Sequence, residues 1–229
     1  AGLGVSETLR AQIRSINQAT RNANDGISLT QVADGAAAVV GNLLSRLREL
    51  SSQSASGTVG ATERSYLDQE FISLRSEIDR IATVTEFNGQ ALLSGNTNSF
   101  EVFIGFKSGT GNSLTASLND LDLASIGLST VNISTSANAQ SALSNIDSAI
   151  SSIATARAEY GSIQNRFEAA IANLQVTSES FTAAESRIRD ADIAFETSQF
   201  TKNQVLVQSG IAVLAQANSL PQQALALLR

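Results

Sequence analysis

The chain of 229 residues contains no cysteine, histidine, methionine or tryptophan, and only one proline and two tyrosines. Without Cys or His there is no Ser-His-Asp triad, no thiol nucleophile, no Cys/His zinc site and no Glu-x-x-His di-iron bundle. No disulfide forms, so stability does not rest on an oxidising compartment. Basic residues are also scarce: 15 Lys+Arg stand against 21 Asp+Glu, a net charge of −6. Nucleic-acid binding needs basic surface to release counterions, so nucleic acid is not an expected partner. No segment reads as a signal peptide or membrane span, and no membrane insertion is expected. No cofactor, metal or catalytic residue is expected, and the chain reads as a non-enzyme. It opens on Ala1-Gly2-Leu3-Gly4 without methionine, and the expectation is that an earlier start has been removed.

What is present is helical periodicity. From Leu9 to Ser54 there are 46 residues without proline. Leu9, Ile13, Ile16, Thr20, Ala23 and Ile27 step by four and three, and the stepping resumes at Val32, Ala36, Val39, Leu43, Leu47, Leu50 and Ser54. That spacing lays one apolar stripe along a helix, the mark of a coiled-coil seam or bundle face. At 1.5 Å rise per residue the helix would be roughly 70 Å long, which suits a rod. Its start is expected near Ser6, and Asp25-Gly26 is expected to kink it or adjust its register.

After a turn at Ser56–Gly60, a second helix is expected over about Thr62–Thr85, carrying Leu67, Phe71, Leu74, Ile78 and Ile81. A short connection makes the two helices antiparallel neighbours. Glu86-Phe87-Asn88-Gly89 reads as a helix end and turn. Between Phe100 and Leu118 the period becomes two, with a Gly-rich turn between the runs, which predicts a β-hairpin. Its Phe-rich face should lie against the helices. Residues 119–136 are rich in Ser, Asn and Asp and read as surface loop. A third long helix follows from Ser136, with Leu143, Ile146, Ile150, Ile153, Arg157, Tyr160, Gln164, Phe167, Ile171, Leu174, Ser178 and Phe181 on its stripe. Polar residues on such a stripe fix register.

The last segment, to Arg229, has a wide apolar face that includes Ile193, Phe200, Val207 and Leu214, and no charged residue from Asn203 to Leu228. Its glutamines, with Pro221, speak against a membrane span. Half apolar and half amide, this helix calls for a partner. Elsewhere the bland readings are preferred. Asp190 and Asp192 beside Arg187 and Arg189 read as a salt-bridged junction, and Asn119-Asp120-Leu121-Asp122 as turn chemistry rather than a calcium loop. Asn132-Ile133-Ser134 is a glycosylation triplet of the kind that arises by chance.

Two sets of residues carry a resemblance. The first is Arg21-Asn22-Ala23-Asn24-Asp25-Gly26-Ile27-Ser28 followed by Arg46-Leu47-Arg48-Glu49-Leu50 and Gln53-Ser54. The second runs from Gln164-Asn165-Arg166-Phe167 through Leu214-Ala215-Gln216-Ala217-Asn218 to Leu225–Arg229. Over nearly its whole length the chain resembles bacterial flagellin, the subunit of the flagellar filament.

The resemblance implies a mainly α fold: a long antiparallel helical rod or coiled-coil bundle with a small β-hairpin at about 100–118. Residues 1–186 would be the inner-core rod domain, and 187–229 the C-terminal helix of the innermost filament domain. It implies a secreted, extracellular, self-assembling motility protein. Its partners would be filament neighbours, a flagellar secretion chaperone, the export apparatus and a host Toll-like receptor. Arg46, Leu50 and Glu70 carry over to the receptor or subunit interface, while Ser45 stands where many receptor-activating members have Gln. Phe200, Val207, Ile211, Leu214 and Leu227 carry over to the chaperone groove or inner-core packing. The family has a further segment before the position of Ala1, so the chain as it stands is expected not to build native filaments. A hook–filament junction protein, a flagellin-like surface adhesin and a helical-bundle enzyme are the alternatives weighed.

Overall fold

The computed structural model describes residues 2–95, 99–107, 109 and 111–227, the last nine by backbone alone. Among the described residues, four helices and four short strands follow in the order α1 (Gly2–Ala55), α2 (Ala61–Val84), β1 (Glu86–Phe87), β2 (Gln90–Ala91), β3 (Ser99–Phe103), β4 (Ser113–Ser117), α3 (Ser136–Arg189) and α4 (Ile193–Leu227). The chain divides into two compact units. Arg10–Phe181 forms one, and the residues before Arg10 form the other with those from Thr182 onward.

Within the larger unit, α1 and α3 run antiparallel. Arg48 meets Asp147 at 2.7 Å and Arg157 meets Asp34 at 2.7 Å, so rising numbers on one helix pair with falling numbers on the other. One line of buried positions on α1 runs Ile16, Ala19, Ala23, Gly26, Thr30, Ala33, Ala37, Val40, Leu44, Leu47, Ser51 and Ser54, with Leu29 and Leu50 buried beside it. The line alternates steps of three and four without interruption, an unbroken heptad seam. The matching positions of α3 are Ala142, Ile146, Ala149, Ile153, Ala156, Tyr160, Ile163, Phe167 and Leu174.

Several expectations from the sequence change here. Asp25-Gly26 does not interrupt α1. Gly26 is itself a seam position, and Thr30 another, its hydroxyl satisfied by the Gly26 carbonyl at 2.8 Å. The expected jump in phase arises from following Ile27, Val32, Ala36 and Val39, whereas the buried line passes through Gly26, Thr30, Ala33 and Ala37. Val32 and Val39, placed on the stripe, are 41% and 47% exposed. Arg157 likewise lies beside the α3 seam, exposed and paired with Asp34, while Ala142, Ala149 and Ala156 occupy a third of the seam positions. The start of α1 is Gly2, earlier than Ser6. A stretch of α1 is also apolar and long enough to cross a membrane by composition, contrary to expectation. A third of it is buried inside the fold.

The expected β-hairpin is β3–β4, antiparallel, with Phe100 opposite Ala116 and Val102 opposite Leu114. These four side chains pack against Ala23 of α1 and Ile163 and Phe167 of α3, as the marginal stability of a bare hairpin demands. Phe106 continues the face, edge-on to Phe181 at 5.7 Å. A second hairpin, β1–β2, stands where only a turn was expected. Asn88-Gly89 is its two-residue loop, both with positive φ, the type I′ signal.

Residues 119–136 are irregular but are not a surface loop. Leu121, Ile126, Leu128, Val131 and Ile133 are buried in the main core. Their backbone must then be satisfied internally. The Ser54 hydroxyl donates to the Ile133 carbonyl at 2.7 Å, the Ile133 N–H donates to Asp68 at 2.8 Å, and Arg75 donates to the Val131 carbonyl at 2.5 Å.

Candidate assembly and recognition surfaces

The first surface joins α1 to α2. Arg46 lies on the outer side of α1 and donates to Glu70 through Nε and Nη2 at 3.0 and 2.8 Å. Its Nη1 donates to Glu49, one turn along, at 2.9 Å. The hydrogen bonds to Glu49 and then Glu70 push the guanidinium pKa above its ordinary value, so this is a permanent cation. All three side chains are about half exposed, and exposed pairs of this kind contribute little to stability. Ser45, Arg48, Glu49, Ser52 and Gln53 line an open shelf on the same stretch of helix.

Leu50 does not share this surface. It is 1% exposed and belongs to the main core, so its placement at an outer interface is corrected. Leu50 is four positions on from Arg46, but Leu47 and Leu50 are buried in the core while Arg46 and Glu49 are exposed.

The second surface is α4. Its start is capped by Asp192, whose Oδ1 accepts from the N–H groups of Ala194 and Phe195 at 2.9 and 3.1 Å. Asp192 is therefore a cap, and Asp190 is bonded to Ser186, while Arg189 pairs with Glu7 at 3.1 Å. The expected junction of Asp190 and Asp192 with the neighbouring arginines gives way to these separate roles. Along α4, Phe200, Val207, Ile211 and Leu214 are 61–64% exposed. The side chain of Leu227 lies outside the described residues.

A third feature was missed by sequence reasoning. Asn22, Asp25, Gly26 and Leu29 of α1 line an open groove with Phe87, Glu101, Val102 and Phe103. Asn22 anchors the hairpin by donating to the Phe103 carbonyl at 2.9 Å. The motif carrying Asn22 and Asp25 was visible, but its meeting with β3 joins residues some 80 positions apart and left no local signal.

The remaining sequence candidates fall into structural roles. Asp122 accepts from the Ser125 N–H, which is turn chemistry as expected. Asn132 accepts from Ser134 and Asn138 near the start of α3. Among the described residues no group of acidic side chains is arranged to hold a metal ion.

The bacterial flagellin N-terminal helical region matches residues 1–98, and the bacterial flagellin C-terminal helical region matches residues 143–228. A flagellin of Halalkalibacterium halodurans is 43% identical over 236 aligned residues, spanning 100% of this chain and 84% of the relative. The crystal structure of Bacillus cereus flagellin is 32% identical, with a TM-score of 0.59 over 67% of this chain and 88% of its own. A Vibrio parahaemolyticus chain assigned as a flagellar hook-associated protein reaches a TM-score of 0.67 over 80% of this chain and 95% of its own. At 14% identity it shares the fold alone. With both terminal helical regions matched and a 43% identical flagellin aligned across the whole of this chain, the chain belongs to the bacterial flagellin family.

Proposed function

We propose that this chain is a structural subunit of the bacterial flagellar filament, exported by the flagellar secretion system and polymerised outside the cell for motility. Family membership supports the reading, and one observation carries it. α4 is a 35-residue helix with large apolar side chains exposed along its described length. Contiguous exposed apolar surface marks an interaction site. Copies of the same chain in a helical array are the partners that would cover it.

The domain roles belong to this proposal. Residues up to about 186 serve as the inner-core rod, and 187–229 as the C-terminal helix of the innermost domain. A boundary between compact units near residue 182 supports the C-terminal end of that partition, while residues 1–9 group with the C-terminal unit rather than with the rod. Phe200, Val207, Ile211, Leu214 and Leu227 pack in the inner core of the filament, and before assembly they fill the groove of a secretion chaperone. Arg46 and Glu70 belong to the surface offered to filament neighbours and to a Toll-like receptor. The chain performs no catalysis, in keeping with its lack of His and Cys.

The test is electron microscopy of flagella from bacteria producing the full-length protein, labelled with an antibody against this chain. Decoration along the whole filament is expected. Label confined to the junction with the hook would instead assign a junction protein, and unlabelled filaments would overturn the reading.

A further inference from the structure

The hairpin β1–β2 turns through Asn88-Gly89, the sole Asn-Gly pair in the sequence. Both residues have positive φ, 51° and 75°, and both are exposed. Nothing lies within 4 Å of where a Cβ on Gly89 would stand. The strand pairing falls on Phe87 and Gln90, and among the described residues no hydrogen bond occupies the Gly89 N–H or the Asn88 side chain.

These are the conditions under which an asparagine reacts with its own backbone. The Gly89 nitrogen gives up its proton to water and attacks Asn88 Cγ. An N–Cγ bond forms, the bond from Cγ to the amide nitrogen breaks, and ammonia leaves a five-membered succinimide. Water then adds to either imide carbonyl and opens the ring to aspartate or isoaspartate. The sequence consumes one water, releases one ammonia and changes no oxidation state.

We propose that Asn88 is a self-modifying site that converts through a succinimide to isoaspartate in the folded chain and thereby loosens the β1–β2 hairpin. The chemical rivals among the described residues are restrained. Asn112 donates its side chain to the Gly109 carbonyl at 3.0 Å, and its successor Ser113 begins β4. Asp25-Gly26 and Asp34-Gly35, whose aspartates could form the same ring, lie inside α1, where the helix holds backbone N–H groups in hydrogen bonds.

Isoaspartate adds a carbon to the backbone of a two-residue loop whose twist depends on two positive φ angles. It also adds a negative charge, taking the net from −6 to −7. The strain falls next to buried structure. Leu92 and Leu93 follow directly and are fully buried, with the Leu92 N–H donating to the Thr85 carbonyl at 3.0 Å and Leu93 accepting from Leu121 at 2.9 Å.

The test ages the full chain in heavy-oxygen water at mildly alkaline pH, then maps its peptides by mass spectrometry with isoaspartyl methyltransferase labelling. The peptide containing Asn88 should convert faster than any peptide whose asparagines are all held in helices or hydrogen bonds. It should take up one heavy oxygen and yield mainly isoaspartate. Gly89→Ala should slow conversion. Asn88→Ser cannot form the ring and sets the baseline for hydrogen exchange, so aged wild type should exchange the Leu92 amide faster than aged N88S. If Asn88 keeps its amide while an unfolded peptide of the same sequence converts, the turn protects it and the proposal fails. Equal exchange in the two aged proteins would overturn the loosening.

Discussion

Gly26 of α1 and Phe167 of α3 meet so closely that a Cβ on Gly26 would stand 2.6 Å from the Phe167 ring. The ring lies on bare helix backbone, and the glycine is a socket rather than a hinge. Close packing of this kind leaves no room for one added methyl.

Gly26→Ala should therefore destabilise the chain, although alanine is the better helix former. Overpacking costs about 1–3 kcal/mol, against about 0.5–1 kcal/mol regained from helix propensity. Thermal unfolding should show a net loss, and Phe167→Leu should partly rescue it. An Ala variant as stable as wild type would mean that the seam is loose at this level.

The loop at 119–136 depends on polar anchors. Asp68→Ala leaves the Ile133 N–H buried without an acceptor, a cost of about 1–3 kcal/mol. Hydrogen exchange should show Ile133 losing protection while the amides near Ile16 of α1 stay protected. Uniform loss along the chain would show that the loop is not a separate opening unit.

Tyr160 is fully buried, and its hydroxyl accepts from the Asn119 N–H at 3.2 Å. Burial pushes its pKa from 10.0 up to about 12. The folded state thus holds the phenolic proton more tightly than the unfolded state does. Its contribution is complete below pH 10 and is lost as pH rises towards 12. Denaturation midpoints should fall through that window, and less steeply in Tyr160→Phe. Parallel curves for the two proteins would refute the assignment.

Arg46→Ala should change unfolding stability by less than about 1 kcal/mol, because its ion pairs are exposed. If Arg46 faces partners as proposed, the same substitution should reduce receptor activation in a cell reporter assay. Unchanged activation would remove Arg46 from the recognition surface.

Replacing Phe200, Val207, Ile211 and Leu214 of α4 with serine should leave thermal unfolding nearly unchanged, since these side chains are exposed in the isolated chain. Each loses about 1.5–3 kcal/mol of burial once covered, so assembly and chaperone binding should collapse. Pull-down with the chaperone and sedimentation of filaments read the two separately. Normal assembly of the serine variant would show that α4 is not the packing element.

Much of this was legible along the chain. The helices are long and striped, and the period switch at Phe100 marked the β-hairpin within a residue or two. The α4 surface was legible for a different reason: a run with no charge and many amides has no stable end state alone. The errors share a cause. Val32, Val39 and Arg157 were placed on seams by spacing, while Gly26, Thr30 and a line of alanines were passed over. Hydrophobic counting weights large side chains, and this core is built where small ones let backbones approach. Spacing puts Leu50 on the buried stripe, and only the resemblance carries it to an outer interface, because a motif does not say which way its helix is turned.

The sequence by itself determined the local states, because helix, strand and turn follow from periods and turn residues within a few positions. It also ruled out Cys- and His-based chemistry by composition. Only the tertiary structure decided which side of each helix is inside and that residues 119–136 dive into the core. It also set Asn22 against the carbonyl of Phe103. Those outcomes depend on pairings between residues tens of positions apart, where close packing and the satisfaction of buried backbone groups choose among several equally periodic faces.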